Sequence, residues 1–162
     1  MSATDETKRQ DEGTGEPDIR SSDAISQLER EIAFMIRRLD SIYRKRHYPL
    51  ERAHYLALMV LKERAHSSGE LATMLGLDQS TVTRQIVAME KKGYVVRKSN
   101  PDDGRGIMIE IEAKGLELFQ QMQLARRRSL QTMMQDWPGE ELCQFADHVI
   151  RFNKAIEAMD DI

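Results

Sequence analysis

Two glycines punctuate the middle of this chain and constrain it more than any other feature. Leu71, Met74 and Leu75 form one short apolar period that stops at Gly76, and Val82, Ile86 and Met89 form a second that stops at Gly93. Glycine ends helices because it enters the left-handed region without a Cβ penalty. Ser67 or Ser68 stands where the first helix needs an amino-terminal cap, and Asp78 stands there for the second, which spans Gln79 to Lys92. The residues between therefore predict two short helices meeting across a tight turn, a helix-turn-helix.

The stretch after Gly93 sharpens the expectation. Residues 94–98 are partly β-branched and aromatic, Asn100-Pro101-Asp102-Asp103-Gly104 is turn material, and Ile107 to Ile111 alternates again. This predicts a two-stranded hairpin with a long loop and Arg105 near its tip. A helix from Leu50 to Arg64, with Tyr55, Leu58, Met59 and Leu61 inward, precedes the pair, and a long helix from Ala113 to about Gln135 comes after the hairpin.

Both ends of the chain carry narrow seams. Ile25, Leu28, Ile32, Met35, Leu39 and Ile42 alternate steps of three and four after a cap at Ser22 or Asp23. Leu142, Phe145, Val149, Phe152, Ile156 and Met159 do the same after the break at Trp137-Pro138-Gly139. Stripes of this kind must be covered, by each other, by the chain's own core or by a second subunit. Dimerisation through the termini is the natural solution. The fold class expected is thus mostly α with a small β-hairpin wing. Residues 1–22 are an acidic, disordered tail, and 23–162 form a single domain. Within it, 23–47 and 113–162 supply dimerisation helices, and 50–112 form the winged helix-turn-helix lobe.

A net charge of −3 over 162 residues does not by itself argue against nucleic acid, because distribution matters more than the sum. Residues 1–23 hold seven acidic and three basic side chains, net −4, whereas residues 79–98 hold Arg84, Lys91, Lys92, Arg97 and Lys98 against Glu90 alone, net +4. The middle of the chain is locally basic. The one cysteine excludes an intramolecular disulfide, and no apolar stretch approaches the roughly 20 residues of a membrane span, so a cytoplasmic protein is expected.

The polar face of the second short helix carries the chemistry of base reading. Gln79, Ser80, Thr81, Thr83, Arg84 and Gln85 lie at its amino-terminal end or away from its apolar edge. Arginine pairs bidentately with guanine, glutamine with adenine, and hydroxyls with bases or phosphates. Ser67 and Ser68 start the preceding helix, where free N–H groups favour a phosphate. Such a face could equally be merely solvated; the hairpin next to it makes the composite more specific.

In these stretches the sequence resembles the multiple antibiotic resistance regulator (MarR) family, over about residues 24–160 and most strongly in GELATMLGLDQSTVTRQIVAMEKKGYVVR and NPDDGRGIMIEIEAKG. The resemblance implies a homodimeric regulator that binds double-stranded DNA. In it Arg105 enters the minor groove, Asp103 orients that arginine as in the family's D-x-R wing pattern, and Arg97 and Lys98 hold phosphate at the wing base. Asn100 replaces a commoner aspartate, and Gly104 loosens the tip. The resemblance further implies a small anionic or phenolic ligand near the hinge, where Tyr43, Arg44, Arg46, His47, Tyr48 and His54 cluster, though the same residues serve equally as structure.

Other chemistries find little support. The four histidines show no metal-ligand spacing, Cys143 is expected to be a buried inert thiol, and the ten methionines read as packing. No nucleophile with a base, phosphate loop or acid pair is evident, so no enzyme and no cofactor is expected.

Overall fold

The computed structural model describes residues 19–100 and 106–160, in two compact units divided between His47 and Tyr48. The first contains α1 (Ile19–Lys45). The second contains α2 (Arg52–Leu61), α3 (Ser68–Leu75), α4 (Gln79–Lys91), β1 (Val95–Ser99), β2 (Ile107–Ile111), α5 (Ala113–Met133) and α6 (Gly139–Asp160). This is the expected mostly helical fold with one hairpin.

Helix α1 begins before the expected cap. Residues 19–22, read from the sequence as the end of the tail, are helical, and the carbonyl of Ser22 accepts from Ser26 Oγ within the helix. Serine scores well as a cap by residue type, yet it is tolerated in a helix interior when its neighbours carry the pattern. Residues 1–18 lie outside the described residues. At its other end Arg44 and Lys45 suit the negative pole of the helix dipole.

The lobe is built around α2, whose Tyr55, Ala57, Leu58 and Leu61 are buried. The helix is shorter than the expected Leu50–Arg64. At its carboxyl end the Glu63 N–H donates to Val60 O, three residues back, a tightening that closes the last turn. Met59, expected inward, is exposed: one residue past Leu58 is 100° round the helix, outside the buried arc.

Each punctuating residue acts as its type dictates. Ser67 Oγ accepts from Glu70 N while Glu70 returns a bond to Ser67 N, a reciprocal capping box, and Asp78 accepts from Thr81 N. Gly76 and Gly93 take φ of +61° and +71°. The hairpin is antiparallel, pairing Val95 with Ile111 and Ser99 with Ile107, and Asn100 N donates to Gly106 O at 2.8 Å to close the loop. His66 adds a short edge, since it and Ile109 exchange backbone bonds of 3.2 and 2.8 Å.

Helix α5 locks onto this lobe by close approach. A Cβ on Gly115 would lie 2.2 Å from the carbonyl oxygen of Tyr94, so only glycine fits there. One turn on, Phe119 stacks on Tyr55 at 5.1 Å, and Met122 is fully buried. The carboxyl-terminal half differs: Leu124, Leu130 and Met133 stand exposed. No helix among the described residues is long and apolar enough to cross a membrane.

Candidate nucleic-acid interface

Helix α4 presents a sharply divided surface. Val82, Ile86 and Met89 are buried, whereas Gln79, Ser80, Thr83 and Arg84 are exposed on other faces of the same helix. Thr81 is half-buried at the amino-terminal turn. Gln85 is half-buried too, with its Oε1 enclosed and lacking a hydrogen-bond partner among the described residues.

The hydroxyls on this helix are already engaged. Ser80 Oγ donates to Asp78 Oδ1 at 2.6 Å, Thr81 Oγ1 donates to Asp78 Oδ2 at 2.6 Å, and Thr83 Oγ1 donates to Gln79 O at 2.7 Å. The Arg84 guanidinium turns back one turn and donates to Thr81 Oγ1 at 3.1 Å. Three donors on one carboxylate, led by the Ser80 hydroxyl, hold Asp78 far below the usual carboxylate range. The phosphate-directed role expected of Ser67 is likewise entangled, because its hydroxyl accepts from Glu70 N at 3.2 Å, while Ser68 opens α3 half-buried. The backbone N–H of Ser67, then its side chain, then Arg64 lower the Glu70 carboxyl to about 2.

The basic residues divide into paired and open. Arg97 lies 3.7 Å from Glu90, Lys98 bonds Glu110 across the hairpin, and Lys92 bonds Glu51 at 2.7 Å. Arg84 and Lys91 form no ion pair among the described residues. The cationic face is thus narrower than the sequence count suggests. Surface pairs of this kind are weak, however, and phosphates readily replace their carboxylates. Asp103 and Arg105 lie outside the described residues.

The residues expected near the hinge are split between the units. Tyr43 is half-buried in α1, and Arg46 and His47 are exposed just after it. His54, in α2, is only 4% exposed, edge-on to Tyr94, with Nδ1 3.8 Å from Glu51 and no hydrogen bond. His66, which sequence reasoning passed over, repeats the arrangement at 2% exposure, with Nδ1 3.8 Å from Glu70. Burial lowers both imidazoles below their ordinary value. Cys143, expected to be buried, is exposed, as are the other residues of α6 from Gly139 to Met159. No cluster of three metal-ligating side chains occurs among the described residues.

Residues 48–106 match the MarR family model. The chain is 33% identical over 142 residues to the uncharacterized HTH-type transcriptional regulator YxaD of Bacillus subtilis (strain 168), covering 85% of this chain and 98% of that protein. In fold it is similar to a MarR family protein from Bacillus stearothermophilus, with a TM-score of 0.70 at 22% identity, covering 87% and 99% of the two chains. It is also similar to a mutant MarR from E. coli crystallised with operator DNA, with a TM-score of 0.64 at 21% identity, covering 80% and 95%. On the helix-turn-helix, the hairpin beside it and these likenesses together, the chain belongs to the MarR family of winged helix-turn-helix transcriptional regulators.

Proposed function

We propose that this protein is a sequence-specific regulator that binds double-stranded DNA in the cytoplasm as a homodimer, represses its target and is released by a small anionic or phenolic ligand. It is not an enzyme. The observation that carries this reading is the division of α4, whose apolar edge is buried while Gln79, Ser80, Thr83 and Arg84 stand outside at its start. A helix held this way by a helix-turn-helix enters the major groove by its amino-terminal end. That the E. coli relative of like fold was crystallised with operator DNA supports the same use here.

The open seams support a homodimer. Leu142, Phe145, Val149, Phe152, Ile156 and Met159 on α6 range from 37% to 70% exposed in the single chain, and Ile25, Leu28, Met35 and Leu39 on α1 are exposed too. Two recognition helices about 34 Å apart would then read an imperfect palindrome one helical turn in spacing. Arg105, oriented by Asp103, would enter the flanking minor groove, where narrowing over A·T sequence concentrates negative potential. Ser67, Ser68, Arg97 and Lys98 would hold phosphate, and Gln85 would assist at the base edges. Tyr43, Arg46, His47 and His54 are the residues proposed to face the ligand.

A fluorescence-anisotropy titration tests this directly, with duplex from upstream of the protein's own coding region, scrambled duplex and several salt concentrations. Strong preference for the upstream duplex with a steep negative salt slope is expected. Absence of binding to either duplex at low salt would overturn the reading.

A further inference from the structure

Four side chains at the start of α4 form one directed chain of hydrogen bonds whose sense chemistry dictates. An ionised carboxylate only accepts, so Ser80 Oγ and Thr81 Oγ1, each 2.6 Å from Asp78, must both give it their protons. A guanidinium only donates, so the 3.1 Å contact from Arg84 must end on a lone pair of Thr81 Oγ1. Thr83 Oγ1 spends its proton on Gln79 O. All three hydroxyls are therefore left as acceptors, and one guanidinium nitrogen of Arg84 is anchored while its other N–H groups stay available.

We propose that Asp78 is a specificity-determining residue that acts through Thr81 to pre-set the Arg84 guanidinium for a guanine edge, and that its charge keeps phosphate from the first turn of α4. The proposal rests on the reading of α4 as the base-reading helix. Helix amino termini ordinarily welcome phosphate. Here the carboxylate occupies the Thr81 N–H at 2.8 Å, and the neighbouring hydroxyls have no proton left to offer. A helix start so arranged repels the backbone, which every sequence shares, and offers Arg84 and lone pairs to base edges, which differ. Holding the arginine before binding also removes part of the ordering cost that a free side chain would incur on the correct base.

The experiment uses the full chain and a duplex selected from a random library by that chain, then the same duplex with each base pair exchanged in turn. Arg84→Ala should flatten discrimination at one base pair in each half-site. Thr81→Val removes the anchoring hydroxyl but keeps the Thr81 N–H cap bond, and should lower discrimination at that same pair roughly three- to tenfold. Thr81→Ser should restore it, and Thr81→Val should add nothing in the Arg84→Ala background. Asp78→Asn still caps the helix. It should weaken the same discrimination and raise affinity for scrambled duplex severalfold. If Arg84→Ala changes discrimination while Thr81→Val does not, or if their effects add, the relay is wrong although Arg84 reads a base. If Arg84→Ala leaves discrimination intact at every pair, the base-reading role of Arg84 falls, and the proposal falls with it.

Discussion

The carboxylate of Glu70 holds Ser67 N at 2.7 Å and Arg64 Nη2 at 3.2 Å, and lies 3.8 Å from Nδ1 of the buried His66. Its folded pKa of about 2 is below the ordinary 4.5, so its contribution to stability is fully present above pH 4.5 and disappears as pH falls toward 2. His54 and His66 are depressed from 6.5 by burial, so the unfolded chain binds their protons first and stability begins to fall below pH 6.5. Urea midpoints measured against pH should accordingly drop in two stages. Glu70→Gln should shrink the lower stage and, by removing the charge that holds His66 up, deepen the upper one; an unchanged profile below pH 4.5 would show the capping box to be silent. At this scale much was legible: the Ser67 and Asp78 caps and both glycine stops come from residue type and position. The carboxylate partners of Arg97, Lys98 and Lys92 were not, since Glu90, Glu110 and Glu51 meet them only through helix packing and strand register.

Among the elements, α5 has two characters. Its first turns are pinned to the lobe by Gly115 against the Tyr94 carbonyl, by the 2.9 Å bond from Glu112 N to the same oxygen and by Phe119 on Tyr55. Gly115→Ala should force the backbones apart and cost about 1–3 kcal/mol in equilibrium unfolding. Gly139→Ala, where a Cβ meets nothing within 4 Å, should stay within about 1 kcal/mol of the parent. Equal stability of the two variants would contradict the close approach. The apolar period alone could not locate this junction. Leu116, Leu130 and Met133 share the helical pattern of Phe119 and Met122, but only the latter two are buried in the chain, because the apolar period does not say which arc of the helix its neighbours cover.

For the whole molecule, exposed apolar seams on α1 and α6 are the dominant uncovered feature among the described residues of one chain. Val149→Asp sets a charge in the middle of the α6 seam, where the single chain leaves the side chain 41% exposed and so tolerates it. Sedimentation should show the parent as a dimer and the variant as a monomer, with operator affinity lost because the two half-sites are no longer linked. A monomeric parent would remove the basis for a palindromic operator.

The features that the sequence determined by itself are those whose physics is local. These are the helix periods, the caps, the glycine stops at Gly76 and Gly93 and the pairing of two short strands, together with the MarR-like pattern they compose. Tertiary structure alone decided which apolar residues the lobe covers, as with Met59 and Cys143 left outside. It also decided which cations meet carboxylates, and the orientation of Arg84 on the Thr81 hydroxyl. Those outcomes depend on which surfaces meet in space, and separation along the chain does not encode that distance.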